Sequence, residues 1–283
     1  MEVFSGIKAV REYLGNERKN EKSTGFVPTM GALHEGHLSL IRRSTGENDL
    51  TVCSVFVNPI QFNNKKDLES YPKTLDYDLE ILEKAGCDAV FVPGEEEMYP
   101  KGEKGSIDFD LGHLDKILEG KFRPGHFQGV AIVVRKFLEI IEPDRAYFGK
   151  KDYQQLLVIS DMVKKFKLNV MIVPCNTVRE PDGLAMSSRN MRLTAGEREM
   201  APLIYETLSL VKEKAATLPV RTLREWAVNR INANPAFEVE YIEIADKNTL
   251  LPLENWKSKE KAIVLAAVKL NDIRLIDNIE FFI

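Results

Sequence analysis

Cysteine is scarce in this sequence, with three residues among 283. Cys53, Cys87 and Cys175 lie far apart, and none of them forms a Cys-x-x-Cys motif. Cys53 and Cys87 lie in or beside apolar runs, so we expect reduced, buried thiols rather than a disulfide framework. This use of cysteine predicts a cytoplasmic protein.

Long apolar runs and an excess of basic residues are also missing. No run of about 18 apolar residues occurs, and the start MEVFSGIKAV lacks the basic and apolar regions of a signal peptide, so no membrane association is expected. Lys and Arg number 39 against 43 Asp and Glu, a formal net charge of −4. Proteins that bind a phosphate backbone usually carry a basic excess, so nucleic acid is not expected as a partner.

Strand-like and helix-like segments alternate through the first part of the chain. The alternation predicts right-handed βαβ crossovers and a Rossmann-like, doubly wound parallel sheet within residues 1–175, an α/β fold. The strand-like runs are GFVPTM, LTVCSVFVN, DAVFVP, DRAYFG and NVMIVP.

The pattern changes after Pro174. Helical periodicity predicts two long helices, near residues 194–216 and 219–234. Three strand-like runs with partial alternation follow and predict a small, mostly antiparallel sheet that the helices cover on one side. We therefore expect residues 176–283 to form a second, smaller α+β domain that covers the active site.

Two of the four histidines, His34 and His37, lie in PTMGALHEGH, directly after the first of these strands. Ligands of doubly wound sheets bind beyond the carboxyl ends of the strands. Gly31 and Gly36 let the backbone approach a ligand, and a helix that begins near His37 directs its free N–H groups at an anion. The motif therefore indicates a phosphate site in which the imidazoles are donors.

A zinc site on His34 and His37 is the competing interpretation, because HEGH resembles a shortened H-E-x-x-H motif. Here the histidines are three residues apart with Gly36 between them, and no cysteine cluster or third histidine lies near. The P-loop pattern G-x-x-x-x-G-K-[ST] and the dinucleotide pattern G-x-G-x-x-G are both missing. A nucleotide bound by this chain would therefore depend on the histidines.

Six blocks of the sequence follow one another between residues 28 and 190: PTMGALHEGHLSLIR, FVNPIQF, YPKTLDYDL, RPGHFQGV, PDRAYFGKKDYQQL and GLAMSSRN. In order and approximate spacing they resemble the pantoate–β-alanine ligase family, within the nucleotidyltransferase superfamily that carries the HIGH and KMSKS motifs. HEGH stands where HIGH is expected and MSSRN where KMSKS is expected. The resemblance implies that pantoate attacks the α-phosphate of ATP to give pantoyl adenylate and pyrophosphate, and that β-alanine then displaces AMP to give pantothenate. It also implies Mg²⁺ carried with ATP, no metal site of the protein itself, and a homodimer.

Site residues follow from the same resemblance, block by block. The catalytic residues it implies are His34, His37, Lys151 and Arg189. The ATP contacts it implies are Met30, Gly31, His34, Gly36, His37, Gly149, Lys150, Lys151, Asp152, Val178, Met186, Ser187, Ser188 and Arg189. The pantoate and β-alanine contacts it implies are Gln61, Gln155, Pro28, Thr29, Met30, Asn58 and Arg123.

The residue types suit these roles. Imidazole donors stabilise charge that develops at the α-phosphorus, and lysine supplies a compact positive charge to phosphate. The amides of Gln61 and Gln155 hold the pantoate carboxylate or hydroxyls in a pocket with apolar walls. The expected walls are Pro28, Met30, Phe62 and Val130.

Three points stay open at the level of sequence. REPDGLAMSSRN is interpreted as a mobile lid over the triphosphate, with few apolar anchors, but an interdomain linker has the same composition. Arg123 and His126 suit either the pocket rim or ordinary surface. The chain departs from the common family pattern at Ile132, Arg135 and Lys150.

Another enzyme class also remains possible at this point. A different nucleotidyltransferase would make a CDP- or ADP-linked product from a phosphorylated substrate. Such an enzyme needs a cluster of cations for the second phosphate, and this chain offers Gln61, Gln155 and apolar neighbours there. A metal-dependent hydrolase built on His34 and His37 is the more distant alternative.

Overall fold

The computed structural model describes residues 1–100, 109–256 and 261–282. The chain divides into two compact units, one comprising Met1–Lys150 and Gln155–Asn176, the other Lys151–Gln154 and Thr177–Ile283. Among the described residues, no helix is both long and apolar enough to cross a membrane.

A parallel sheet forms the centre of the first unit, as the alternating sequence pattern predicted. Its strands in chain order are β1 (Glu2–Phe4), β2 (Thr24–Thr29), β3 (Leu50–Val55), β4 (Ala89–Phe91), β5 (Arg145–Gly149) and β6 (Met171–Cys175). Their order across the sheet is β1-β4-β3-β2-β5-β6, and every neighbouring pair is parallel.

The helices of this part of the chain connect those strands. Short 3₁₀ turns occur at Pro59–Gln61, Gly112–Asp115 and Lys150–Asp152. The α-helices are α1 (Ile7–Lys19), α2 (Glu35–Glu47), α3 (Lys65–Glu69), α4 (Leu75–Lys84), α5 (Glu95–Met98), α6 (Leu118–Phe122), α7 (His126–Ile141) and α8 (Tyr153–Lys165).

The strand order places a switch point at the middle of the sheet. β2 pairs with β3 on one side and with β5 on the other. The chain passes from β2 through α2 to β3 and β4, and later returns to β5 on the opposite side of β2. The carboxyl ends of β2 and β5 therefore flank the crevice in which doubly wound folds bind ligands. The histidine motif follows β2, and Gly149 ends β5.

Helices cover both faces of the sheet, so successive strand residues are buried on opposite sides. Val27 and Val90 belong to a core that α2 and α4 complete with residues such as Leu82. Phe26 and Phe91 face the other side, where the ring of Phe137 in α7 lies 5.8 and 6.1 Å from theirs. Burial on both faces is typical of parallel sheets and explains the continuous apolar runs in the sequence.

The elements of the second unit are α9 (Ala195–Met200), α10 (Leu203–Lys214), α11 (Val220–Asn232), β7 (Phe237–Asp246), β8 (Lys261–Leu270) and β9 (Ile273–Phe282). The three strands form an antiparallel sheet in the order β7-β8-β9. α10 and α11 pack against this sheet around a core that includes Leu208, Leu223 and Val264.

The single helix predicted near residues 194–216 is wrong, because α9 and α10 replace it. Pro202 lies between them, and proline has no N–H with which to continue an α-helix. α2 begins at Glu35, two residues before the expected start near His37. β1 and α1 were not predicted.

Candidate active site

The turn between β2 and α2 has an unusual backbone that a buried carboxylate holds. Gly31 and Ala32 have φ angles of 80° and 50°. Asp78 of α4 is buried and accepts hydrogen bonds from the backbone N–H groups of Ala32 and Leu33, at 2.9 and 2.8 Å. Thr74 donates its hydroxyl to the same carboxylate at 3.2 Å. Asp78 thus fixes the path of the chain directly before the histidine motif, and sequence reasoning missed it.

His34 is the N-cap of α2, and both histidines of the motif hydrogen-bond to the backbone through Nδ1. Nδ1 of His34 accepts from the N–H of Gly36 at 3.1 Å, and Nδ1 of His37 accepts from the N–H of His34 at 3.3 Å. The two rings lie 4.1 Å apart between centroids. A ring nitrogen that accepts a hydrogen bond carries no proton, so the neutral imidazole carries its proton on Nε2. The helix cap therefore makes Nε2–H of each ring the donor.

Gln61 is held in a buried polar cluster near the end of β3. Its Oε1 accepts from Asn58 Nδ2 at 3.0 Å, and its Nε2 donates to the sulfur of Met30 at 2.9 Å. Asn58 also donates to the backbone oxygen of Gly129 at 3.1 Å and accepts from the hydroxyl of Tyr99 at 2.8 Å. The structure thus brings Met30, Asn58 and Gln61 together. These contacts favour a positioning role for Asn58, whose expected substrate contact stays a prediction.

Gly129 allows α7 to lie directly against the 3₁₀ turn Pro59–Gln61. A Cβ atom at Gly129 would lie 2.5 Å from the backbone oxygen of Ile60 and 2.6 Å from Cα of Gln61. At the start of α7, Nδ1 of His126 lies 2.9 Å from the backbone oxygen of Gln61, within hydrogen-bond distance. The helix therefore orients the glutamine from its backbone side.

Arg123 lies beside this cluster rather than free on the surface. Its guanidinium is 3.1 Å from Nε2 of His126 and 3.7 Å from the carboxylate of Glu119. His126 is buried, which removes it from the surface alternative that the sequence left open.

The end of β5 supplies the other wall of the switch point. Gly149 pairs in register with Cys175 at the end of β6, and Lys150 follows directly. Burial raises the pKa of the Cys175 thiol, although the guanidinium of Arg43, 3.5 Å from its sulfur, opposes this. Gln155 of α8 is half-buried.

Five of the seven expected ATP contacts of the second unit lie in two segments. Lys151 and Asp152 form the first, and the lysine Nζ lies 3.5 Å from the aspartate Oδ2. Ser187, Ser188 and Arg189 form the second, in which Ser187 Oγ accepts from the N–H of Arg189 at 3.3 Å. This bond caps the 3₁₀ helix Ser188–Arg192.

The expectation of few apolar anchors in the lid segment is wrong. Arg179 and Ala185 pair in a β-bridge, and the N–H of Met186 donates to the backbone oxygen of Val178 at 3.0 Å. Leu184 and Ala185 are buried, and Leu184 belongs to the core of the second unit. Residues 178–186 are therefore a packed hairpin, and the composition rich in turn residues reflects its tight turn.

A doubly wound parallel sheet with a histidine pair at its switch point and a distant Ser-Ser-Arg segment defines the class: an α/β enzyme of the HIGH-type nucleotidyltransferases. A sequence model described as pantoate-beta-alanine ligase matches residues 2–280. The chain belongs to the pantoate–β-alanine ligase family. It is accordingly a ligase that joins pantoate and β-alanine at the expense of ATP, which confirms the prediction from the six blocks.

Known proteins resemble the chain over its whole length. The pantothenate synthetase of Porphyromonas gingivalis is 47% identical over 281 residues, 99% of each chain. The crystal structure of pantothenate synthetase from Thermus thermophilus has a TM-score of 0.91 at 43% identity and covers 99% of each chain. Pantoate-beta-alanine ligase from Francisella tularensis, complexed with beta-gamma ATP and beta-alanine, has a TM-score of 0.83 at 38% identity, covering 99% of this chain and 97% of its own.

Family membership also decides between the alternatives. It excludes the two enzyme classes that the sequence left open, the metal-dependent hydrolase and the other nucleotidyltransferase. Within the described residues, no group of three or more His, Cys, Asp and Glu side chains is arranged to hold a metal ion. The histidine pair instead has the hydrogen-bonding pattern of two oriented donors.

Proposed function

We propose that the ligation proceeds through pantoyl adenylate and that His34 and His37 stabilise its formation. An oxygen of the pantoate carboxylate attacks the α-phosphorus of ATP, and the bond to the bridging oxygen breaks to release pyrophosphate. Negative charge grows on the α-phosphoryl oxygens during this step, and donors fixed in advance stabilise it at little reorganisation cost. The observation that carries the proposal is the pair of Nδ1 atoms tied to the backbone, which leaves Nε2–H of each ring as the donor.

Gln61 is proposed to hold pantoate, together with Gln155, in the first unit. The support is the cluster of Met30, Asn58 and Gln61, which joins an apolar side chain to an amide of fixed orientation. An amide in a partly dry pocket discriminates well between substrates, because a molecule without the matching polar group leaves the amide unpaired. Pro28, Thr29 and Arg123 are proposed to complete this subsite.

The triphosphate and ribose are proposed to bind both segments of the second unit. Lys151 and Arg189 would donate charge-assisted hydrogen bonds to phosphate, and the Ser187 and Ser188 hydroxyls would add neutral ones. Asp152 would accept from a ribose hydroxyl. Mg²⁺ is proposed to enter with ATP as part of the substrate, bound to phosphate oxygens and water molecules. Further nucleotide contacts are proposed for Met30, Gly31, Gly36, Gly149, Lys150, Val178 and Met186.

In the second half-reaction the amine of β-alanine attacks the acyl carbon of the adenylate. An amine does not readily attack a free carboxylate, because the carboxylate has no good leaving group. In the mixed anhydride the leaving group is AMP. The amide bond forms as the bond from the acyl carbon to the AMP oxygen breaks, and the amine loses its proton. The products are pantothenate and AMP.

A homodimer in the cytoplasm is the remaining part of the proposal. The family resemblance supports the dimer, and a particle of twice 32.2 kDa in solution would test it. Three buried thiols without a disulfide suit a reducing compartment. The boundary between the two domains is proposed to lie at about residue 175.

The experiment measures AMP formation in the presence of ATP, pantoate and β-alanine, and each substrate is omitted in turn. We expect AMP only with all three substrates, because the adenylate stays bound until an amine attacks it. Pyrophosphate should exchange into ATP with pantoate alone, since the first half-reaction is reversible. AMP formation that is equally fast without pantoate would contradict the proposal.

A further inference from the structure

Asp277 and Asn278 are two adjacent polar residues in β9 whose side chains are almost fully buried, at 5% and 6% exposure. Both Asp277 oxygens accept from the guanidinium of Arg179, at 2.6 and 2.8 Å. Arg179 also donates to the backbone oxygens of Gly183 and Asn278, at 3.0 and 3.2 Å. This bidentate pair joins β9 to the hairpin that leads into Ser187.

Packing holds the guanidinium of Arg179 in place as well. Its carbon lies 4.2 Å from the centre of the Tyr205 ring. Gly183, at the tip of the hairpin, has a φ of 91°, and a Cβ atom there would lie 2.0 Å from Cδ1 of the same ring. The hairpin therefore has one close-packed position relative to β9 and α10.

Asn278 makes a second connection, to the other nucleotide-binding segment of the same unit. Its Nδ2 donates to the backbone oxygen of Lys151 at 2.8 Å. Residues Lys151–Gln154 belong to the second unit, whereas the rest of α8 belongs to the first. One side chain of β9 thus holds the backbone of the proposed phosphate-binding lysine.

β9 is a firm frame for both connections. Asp277 and Asn278 pair in register with Ala266 and Leu265 of the central strand β8. Side chains at successive strand positions point to opposite faces, so this dipeptide reaches two different segments. A substrate-binding donor that is held in this way keeps its position before the substrate arrives.

We propose that Asp277 and Asn278 are positioning residues for ATP, fixing the Lys151–Asp152 segment and the Ser187–Arg189 segment relative to each other. Neither residue is proposed to touch the substrate. The inference rests on the proposed function, because it takes both segments to bind ATP. A purely structural role is the alternative, since a broken buried ion pair also destabilises a fold.

The test variant is Asn278→Ala, which removes the bond to Lys151 and leaves the Asp277–Arg179 pair intact. We expect the KM for ATP to rise about tenfold or more, because misplaced donors lose binding and orientation. The KM for β-alanine should stay within about twofold of wild type, since the proposed β-alanine contacts lie in the first unit.

Leu223→Ala is the matched control, because Leu223 of α11 is buried in the core of the same unit. It should lower the melting temperature at least as much as Asn278→Ala but leave the KM for ATP within about twofold of wild type. Asp277→Asn is the second test variant. It weakens the bidentate pair without a cavity, and we expect it to raise the KM for ATP in the same direction.

The outcomes separate the two proposals. Wild-type protein without pantoate-dependent AMP formation would contradict the proposed function itself. An active wild type together with an unchanged KM for ATP in Asn278→Ala would overturn the positioning role. An equal rise in Leu223→Ala would overturn it too, because loss of stability alone would then explain the effect.

Discussion

At the scale of single residues, the site depends on which nitrogen of each imidazole carries the proton. His34 is the N-cap of α2, and its Nδ1 accepts from the N–H of Gly36. One ring therefore has two functions on opposite edges. Nδ1 stabilises the helix start, and Nε2–H is the proposed donor to the substrate. Substitutions that preserve one function and remove the other separate them.

His34→Asn should keep the cap and lose the donor, because an asparagine oxygen takes the place of Nδ1 but nothing replaces Nε2–H. We expect kcat to fall on the order of a hundredfold, as for other lost donors to developing charge. The free energy of unfolding should change by less than about 0.5 kcal/mol, because asparagine is a good N-cap residue. His34→Gln is the matched control, since its longer amide reaches the Nε2 position. Full activity in His34→Asn would remove this imidazole from the reaction.

The three thiols give a second prediction for single residues. Burial raises the pKa of Cys53 well above its ordinary value and that of Cys87 to about 12, and it also raises the pKa of Cys175. A raised pKa means that each thiol is protonated at about pH 8, and the protonated form does not react with disulfide reagents. The native protein should therefore react with none of its three thiols, and the denatured protein with all three. Rapid labelling of Cys175 in native protein would contradict this.

At the scale of elements, the candidate pantoate site depends on the close approach of α7 to the 3₁₀ turn Pro59–Gln61. Gly129 is the residue that permits it, because any side chain there would overlap the backbone of Ile60 and Gln61. The helix also holds Asn58 through the Gly129 oxygen and Gln61 through His126. A helix that is displaced by even a fraction of an ångström would move these amides.

Gly129→Ala should therefore raise the KM for pantoate several-fold more than the KM for ATP, since a shift of about 1 Å at substrate-orienting residues is costly. The control is Gly15→Ala in α1, where a Cβ atom would meet nothing within 4 Å. That change should stabilise the protein by about 0.5 to 1 kcal/mol without affecting either KM, because alanine is the better helix former. Equal increases of both KM values in Gly129→Ala would place Gln61 outside the pantoate site.

At the scale of the whole molecule, the sequence predicted the layers of the fold but not their fine structure. Apolar runs of strand length between helical segments were sufficient for a parallel sheet. β1, with three residues, is too short to show a period, and Pro202 divided a segment whose apolar spacing continued across it. Asp78 escaped notice because its partners, Ala32 and Leu33, lie 46 and 45 residues away. Contacts between distant residues leave no local pattern.

The candidate site follows the same rule. Its motif residues were found because each family block is a continuous stretch of sequence. The residues that position the motif residues were missed. Asn278 lies 127 positions from Lys151, and Asp277 lies 98 positions from Arg179. Composition also misled, since the turn residues of the lid segment belong to a packed hairpin with Leu184 in the core. Folding alone brings such partners together.

The central claim is that the carboxylate of pantoate is activated at the α-phosphorus of ATP, and the path of one oxygen atom tests it most directly. Pantoate labelled with ¹⁸O in its carboxylate is converted with ATP and β-alanine, and the products are analysed by mass spectrometry. The pantoate oxygen that attacks phosphorus leaves with AMP when the amine attacks the acyl carbon. We therefore predict one ¹⁸O atom in AMP and none in pyrophosphate. Label in inorganic phosphate with ADP as the nucleotide product would show attack at the γ-phosphorus and would contradict the account.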